Sequence, residues 1–287
     1  MALICLAALL TVLELLLASL FYPMPYRDSR GEMRYKSFPW MTWTIIALNV
    51  LVFLVWLVPD FYGVKYSAAG QPIYTQNYAK IYLYGYRETE LHHAQSIGAF
   101  VTFTAIFMHG SFGHLFGNML YLRVFGFRVE DACGPWRFLA YYLLAGMISN
   151  VCDTLLNPIH AQESMPSIGA SGAISGVMGA YLILFYGERI TCIWGVGSVL
   201  RFLAVIPIRL FSRRRPAWWR GRLQIPSALL LFPFLIMETV PSISIIQSGY
   251  QGQVGHLAHV MGFLAGLTIF LFIRKDMLMR YVGGRAL

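Results

Sequence analysis

Charge is scarce in this chain. Only 12% of its 287 residues are Asp, Glu, Lys or Arg, whereas 57% are hydrophobic and the mean hydropathy is +0.59. Soluble domains carry about a quarter charged residues, so an ordinary soluble protein is excluded and a membrane protein is implied. Cysteine is scarce too. Cys5, Cys133, Cys152 and Cys192 show no paired spacing, so neither a disulfide framework nor a zinc motif can be read. No His-Glu-x-x-His occurs and no acidic cluster accompanies the histidines; no metal and no cofactor are expected. Acidic residues are outnumbered, 13 against 22 Lys and Arg. The basic residues lie in loops between apolar runs, which speaks for orientation in a bilayer and against nucleic acid as a partner.

What is present is a succession of apolar runs, enough for six or seven spans of about 20 residues. Residues 2–22 are apolar, with Glu14 the only charge and no basic start; a retained span fits better than a cleaved signal. Trp40–Val58 reads as a span, and 60–97 as a long, Tyr-rich connection. Ile97–Met108 is apolar but too short to cross. His109-Gly110-Ser111 breaks it, with Ser111 the expected N-cap of a helix over about 112–127. Further spans are expected at Phe138–Leu156, from Ser167 to near Gly187, at Pro226–Val240 and at Gly255–Ile273.

Charge sets the orientation. With 23–39, 123–137, 188–224 and 274–287 on the cytoplasmic side, 19 of the 22 Lys and Arg residues fall there. Residues 190–211 then lie along the interface instead of crossing, because a crossing would turn the Arg213–Arg222 cluster outward. The expected organisation is an N-terminal apolar segment and basic cytoplasmic linker (1–39), a membrane domain (40–273) and a basic cytoplasmic tail (274–287).

The chemistry centres on Ser167-Ile-Gly-Ala-Ser-Gly-Ala-Ile-Ser-Gly-Val-Met-Gly-Ala180. At ~100° per residue, Gly169, Gly172, Gly176 and Gly179 share one helix face, a bare stripe where a second helix can approach closely. Ser171 borders it near the expected helix start, where unpaired N–H groups and the helix dipole favour an oxyanion. Near the other end of the chain, Gly255, His259, Gly262 and Gly266 share a second such face. If the two stripes pack, Ser171 and His259 meet, and a neutral imidazole can take the hydroxyl proton and return it to a leaving amine. Neither segment carries an Asp or Glu, so a dyad is expected. His114 and Asn118, four apart, can offer donors to an oxyanion beside the Ser171 N–H. Taken singly, each of these residues is more often structural; together, on compatible levels of three helices, they favour chemistry. His256 either tunes the base or is a hydrogen-bonded structural residue. Glu130 is expected to order the inner loop with Arg123, Arg128 or Arg137.

The ordered set His109-x4-His114-x3-Asn118, Val129-Glu130-Asp131, Gly169-Ala170-Ser171-Gly172 and Ala258-His259 with Gly262 and Gly266 resembles the rhomboid family of intramembrane serine proteases, over roughly residues 97–270. The resemblance implies an all-α membrane protein, a six-helix rhomboid core preceded here by an extra N-terminal transmembrane helix. It implies a Ser171–His259 dyad, an oxyanion hole of His114, Asn118 and the Ser171 backbone, and a supporting His109. The implied activity is endoproteolysis of single-span transmembrane substrates at the outer face, where a helix unwinds easily. One departure is that the first outer loop lacks the Trp-Arg pair of many members, which puts its anchoring in question. The compact chain points to a prokaryotic cell membrane. Two rivals are an inactive rhomboid-like protein that binds transmembrane clients, and a small transporter using His109, His114, His256 and His259.

Overall fold

A computed structural model describes residues 23–28, 38–57, 65–66, 72–73, 76–87, 98–156, 166–193, 223–248 and 255–273. The apolar segment 2–22, most of the 190–211 stretch with the Arg213–Arg222 cluster, and the tail 274–287 lie outside the described residues.

The structure is mostly helical. α1 (Trp40–Leu51) continues as a π-helical stretch to Leu57. After a small hairpin of β2 (Lys65–Tyr66) and β3 (Pro72–Ile73) comes α2 (Gln76–Tyr84). The segment read as too short to cross folds as a 3-10 turn, α3 (Val101–Thr104) and a second 3-10 turn ending at Phe107. Met108 is extended and stops it. Ser111 caps α4 (Phe112–Tyr121) as expected, its hydroxyl accepting from the His114 N–H at 3.1 Å. From α4 the chain runs on through a π-helical Leu122–Gly126 into α5 (Phe127–Cys133). Gly134, at φ +79°, then turns it, and Pro135 starts α6 (Pro135–Leu156) at the position where its missing N–H has no helical bond to lose.

The core is helix on helix. α7 (Ser171–Leu184) is buried over nearly its whole length and packs against α6 and α9 (His256–Thr268). The glycine stripes explain the closeness of α7 and α9. A Cβ at Gly262 would run into the Gly172 carbonyl, and one at Gly266 into the Gly176 carbonyl. Gly169 departs from the expected stripe. It precedes the helix, which begins at Ser171, and its φ of +125° places it in a turn. α8 (Ser227–Ser248) runs past Val240 and contains both Pro233 and Pro241, each unable to donate to the carbonyl four residues earlier.

Three short strands were not anticipated. β1 (Met24–Asp28), β4 (Arg189–Ile193) and β5 (Leu223–Pro226) form an antiparallel sheet in the order β1-β4-β5. All three come from segments that the charge distribution assigns to one membrane side. Asp28 anchors the sheet edge to the helices. It accepts a hydrogen bond from the Tyr181 hydroxyl at 2.5 Å and pairs with Arg128 Nε at 3.4 Å. The beginning of the 190–211 segment, expected to lie along the interface, is a central strand, buried at Ile190, Thr191 and Cys192.

Glu130 also departs from expectation. Instead of an arginine it holds the start of α1, accepting from Met41 N at 2.9 Å, Thr42 N at 2.7 Å and Thr42 Oγ1 at 2.6 Å. A carboxylate at a helix N-terminus satisfies orphan donors and faces the positive end of the dipole.

Among the described residues no helix is long and apolar enough to cross a membrane. α6 carries Arg137, Asn150 and Asp153, and α1 and α9 are each completed by π-helical turns. Large apolar side chains nevertheless face outward, among them Leu51, Val55, Leu229, Ile236, Met237 and Val240, each more than half exposed. Exposed apolar surface on this scale marks contact with a nonaqueous partner.

Candidate functional site

Ser171 occupies the first turn of α7, and the approach to it is tied down at two points. Ser167 exchanges backbone hydrogen bonds with Tyr86, each at 2.9 Å, and the Gly169 N–H donates to the Ala105 carbonyl at 2.9 Å. Gly169 then turns with positive φ, and the space where a Cβ would stand is filled by the His114 ring at 2.7 Å, with Asn118 Nδ2 at 3.7 Å. Only glycine meets both demands. His114 and Asn118 are thereby brought to the turn immediately before Ser171.

Asn118 is buried, and its Nδ2 has no hydrogen-bond partner among the described residues. A buried donor without a partner is unfavourable by about 1–3 kcal/mol, a deficit that an incoming anionic oxygen would relieve. His109 is fully buried, with its ring edge-on to His114 at 5.0 Å between centroids.

On the other side, Gly172 faces α9 at the level of Ala258, whose carbonyl lies 3.8 Å from the Gly172 Cβ direction. Ser149 of α6 fixes this contact by donating to the Ala258 carbonyl at 2.6 Å. Ser171 and His259 each lie one residue from that junction, at the same end of the α7–α9 pair. Among the described residues no direct hydrogen bond joins their side chains. The His259 Nδ1 lies 3.0 Å from Glu238 Oε2 of α8, which leaves Nε2 available for a second partner. His256 Nδ1 meets the same oxygen at 2.7 Å.

Glu238, like Ser149, is a site-proximal residue that the sequence reading did not single out. Its signal was present: a lone carboxylate inside the apolar α8 run requires a partner. The partners lie on another helix, 18 and 21 residues later, so no local pattern announces them. Of the glycines expected to support the site, Gly172, Gly262 and Gly266 form the helix contact and Gly169 forms the turn. Among the described residues no group of His, Cys, Asp and Glu is arranged to hold a metal ion.

The described helices thus form a bundle with close-packed small-residue faces, carrying a serine at one helix start and a histidine near the same end of the facing helix. Its family follows from direct comparison. The Rhomboid domain model matches residues 98–276, so the chain belongs to the rhomboid family, whose members are integral to membranes. It is similar to rhomboid-like protein 11, chloroplastic, of Arabidopsis thaliana, at 26% identity over 60% of this chain and 51% of that one. Identity to the rhomboid protease GluP of Bacillus subtilis is 34% over 36% of this chain and 19% of that protein. For the putative rhomboid protease YdcA of the same bacterium it is 36% over 30% and 43%. The chain thus spans about half the length of these relatives, or less.

Proposed function

We propose that this protein is an intramembrane serine endopeptidase that cuts single-span transmembrane substrates. The observation that carries the reading is the convergence on Gly169 and Gly172. The first brings His114 and the unpartnered Asn118 amide to the start of α7, and the second brings the level of His259 alongside. Protease names among its relatives support the same reading.

In this mechanism Ser171 Oγ attacks the scissile carbonyl carbon while His259 Nε2 takes its proton. The oxyanion receives hydrogen bonds from the Ser171 N–H, the Asn118 amide and the His114 ring. His259 then gives its proton to the departing amine as the C–N bond breaks, leaving an acyl ester on Ser171. Water, deprotonated by the same imidazole, hydrolyses the ester and restores the hydroxyl. Water must reach Ser171 through a polar recess open to one membrane face, because unsatisfied polar groups are not tolerated against lipid. A helical substrate must unwind before its carbonyl can be attacked, which favours Gly and other weak helix formers at the cut. α8 is the entry gate in this reading. Its outward side chains are apolar, and Pro233 and Pro241 deprive the Leu229 and Met237 carbonyls of their helical donors. The proposed cellular setting is a prokaryotic cell membrane, supported by the two bacterial relatives; the similar plant protein carries a chloroplast name.

The test is cleavage of a single-span substrate in proteoliposomes by wild type, Ser171→Ala and His259→Ala. Both variants should lose cleavage while remaining folded. Persistent cleavage by Ser171→Ala would overturn the serine mechanism. A wild-type protein that binds such substrates without cutting them, and whose Ser171 resists a fluorophosphonate probe, would be a client-binding member of the family.

A further inference from the structure

Glu238 is in hydrogen-bond contact with the proposed base. It belongs to α8, and its side chain turns inward while its neighbours Ile236 and Met237 face out. Only 14% of it is exposed, and Oε2 lies 3.0 Å from His259 Nδ1 and 2.7 Å from His256 Nδ1. The two histidines are one helical turn apart on α9 and share a face, so a single carboxylate oxygen reaches both. Its backbone is held as well: the Ser242 hydroxyl donates to the Glu238 carbonyl at 2.6 Å. A carboxylate accepting a hydrogen bond at Nδ1 fixes the imidazole tautomer. The proton stays on Nδ1, and the Nε2 lone pair is left to face Ser171.

We infer that Glu238 is a positioning residue that orients His259 through Nδ1, so that the proposed dyad works as a Ser171–His259–Glu238 relay whose third member is supplied by α8. The inference rests on the protease reading and deepens it. When Ser171 Oγ bonds to the scissile carbon, its proton moves to His259 Nε2 and the ring becomes an imidazolium. Its Nδ1–H remains directed at the ionised Glu238, which takes no proton at any step. The carboxylate compensates the transient positive charge, and the proton leaves Nε2 with the amine. His256 donates to the same oxygen and keeps the carboxylate hydrogen-bonded whenever α8 lies against α9. A purely mechanical alternative exists for the same contacts, in which Glu238 is a staple that fastens α8 to α9. The two differ in what a neutral side chain of the same shape would do. Gln can still hydrogen-bond both rings, but it neither selects the tautomer nor compensates the charge.

The experiment measures kcat and KM for a single-span substrate in proteoliposomes with the full chain, together with thermal unfolding. It compares wild type, Glu238→Gln, Glu238→Asp and Ser171→Ala. Glu238→Gln should lower kcat by roughly 10- to 100-fold, the range for losing a charged hydrogen bond at a catalytic histidine. KM should stay within about twofold and the unfolding temperature should be nearly unchanged. Glu238→Asp, which restores the charge, should recover part of the loss. The rate of fluorophosphonate labelling at Ser171, normalised to folded protein, should fall in parallel with kcat, which keeps the test valid for a variant that folds in low yield. Wild-type kcat in Glu238→Gln overturns the inference. So does a loss that appears in KM and unfolding temperature, with labelling per folded molecule intact. Cleavage persisting in Ser171→Ala is a separate failure, that of the protease reading itself, and it removes the relay with it.

Discussion

Gly262→Ala is the smallest change that tests whether the α7–α9 contact sets the geometry of the site. The added methyl has one direction to go, into the Gly172 carbonyl, which is backbone and cannot rotate aside. Carbon and oxygen need about 3.5 Å between centres, so the two helices must separate or slide by roughly 1 Å. Overpacking of this kind is unfavourable by about 1–3 kcal/mol. The effect on chemistry is predicted to be larger, because Gly172 adjoins Ser171 and Gly262 lies one turn from His259. A 1 Å misplacement of reacting groups can slow a reaction about 100-fold. The assay is proteoliposome cleavage with kcat resolved from KM, alongside thermal unfolding. Gly117→Ala on α4 is the control, because a methyl there meets nothing within 4 Å; alanine is favoured over glycine in a helix by about 1 kcal/mol. If Gly262→Ala keeps wild-type kcat and unfolding temperature, the close approach of the helices does not govern the site.

Asn118→Ala should lower kcat by about 10²–10³ with little change in KM, as for loss of one oxyanion donor; steady-state kinetics with one substrate decides it. Glu130→Ala removes three buried hydrogen bonds at the start of α1 and should destabilise the fold by about 2–3 kcal/mol, read as a lower unfolding temperature with kcat per folded molecule preserved. A cross-link between α8 and α4 should abolish cleavage of membrane substrates, and full turnover would remove α8 as the gate. Burial pushes the Cys192 thiol up to about 12. Almost no thiolate exists at neutral pH, so alkylation should be very slow and rise only as pH climbs towards that value. Asp28→Ala, which frees the edge of β1, should accelerate it at fixed pH.

The parts of the molecule governed by local chemistry were legible in the sequence. Ser111 reads as a cap because a hydroxyl before an apolar helix has a donor to accept from, and His109-Gly110 reads as a break for want of helical continuity. The paired glycine stripes predict a close helix contact, since nothing but bare backbone occupies those faces. Contacts between distant residues were not legible. Glu130 was paired on paper with nearby arginines, whereas the first turn of α1, nearly 90 residues earlier, offers it unpaired backbone donors in a fixed array. The three-stranded sheet joins pieces of four or five residues, too short to show an alternating pattern. Gly169 sits at helical spacing from Gly172 yet is not helical, because spacing carries no information about the sign of φ. Glu238 was not legible because its partners are reached only when α8 lies against α9.

The small sheet also constrains when this protein can become itself. β1 is made first, but β4, its strand partner among the described residues, follows some 160 residues later. At about 5–20 residues per second of synthesis, residues 24–28 wait roughly 10–30 s with their ladder groups unpaired. The order of emergence then favours safety. Ser171 appears before the sheet closes, whereas Glu238 and His259 come from α8 and α9, which follow β4 and β5. In the protease reading the hydroxyl exists early and its activating partners late, so a nascent chain cannot cut its neighbours until α8 and α9 have followed α7.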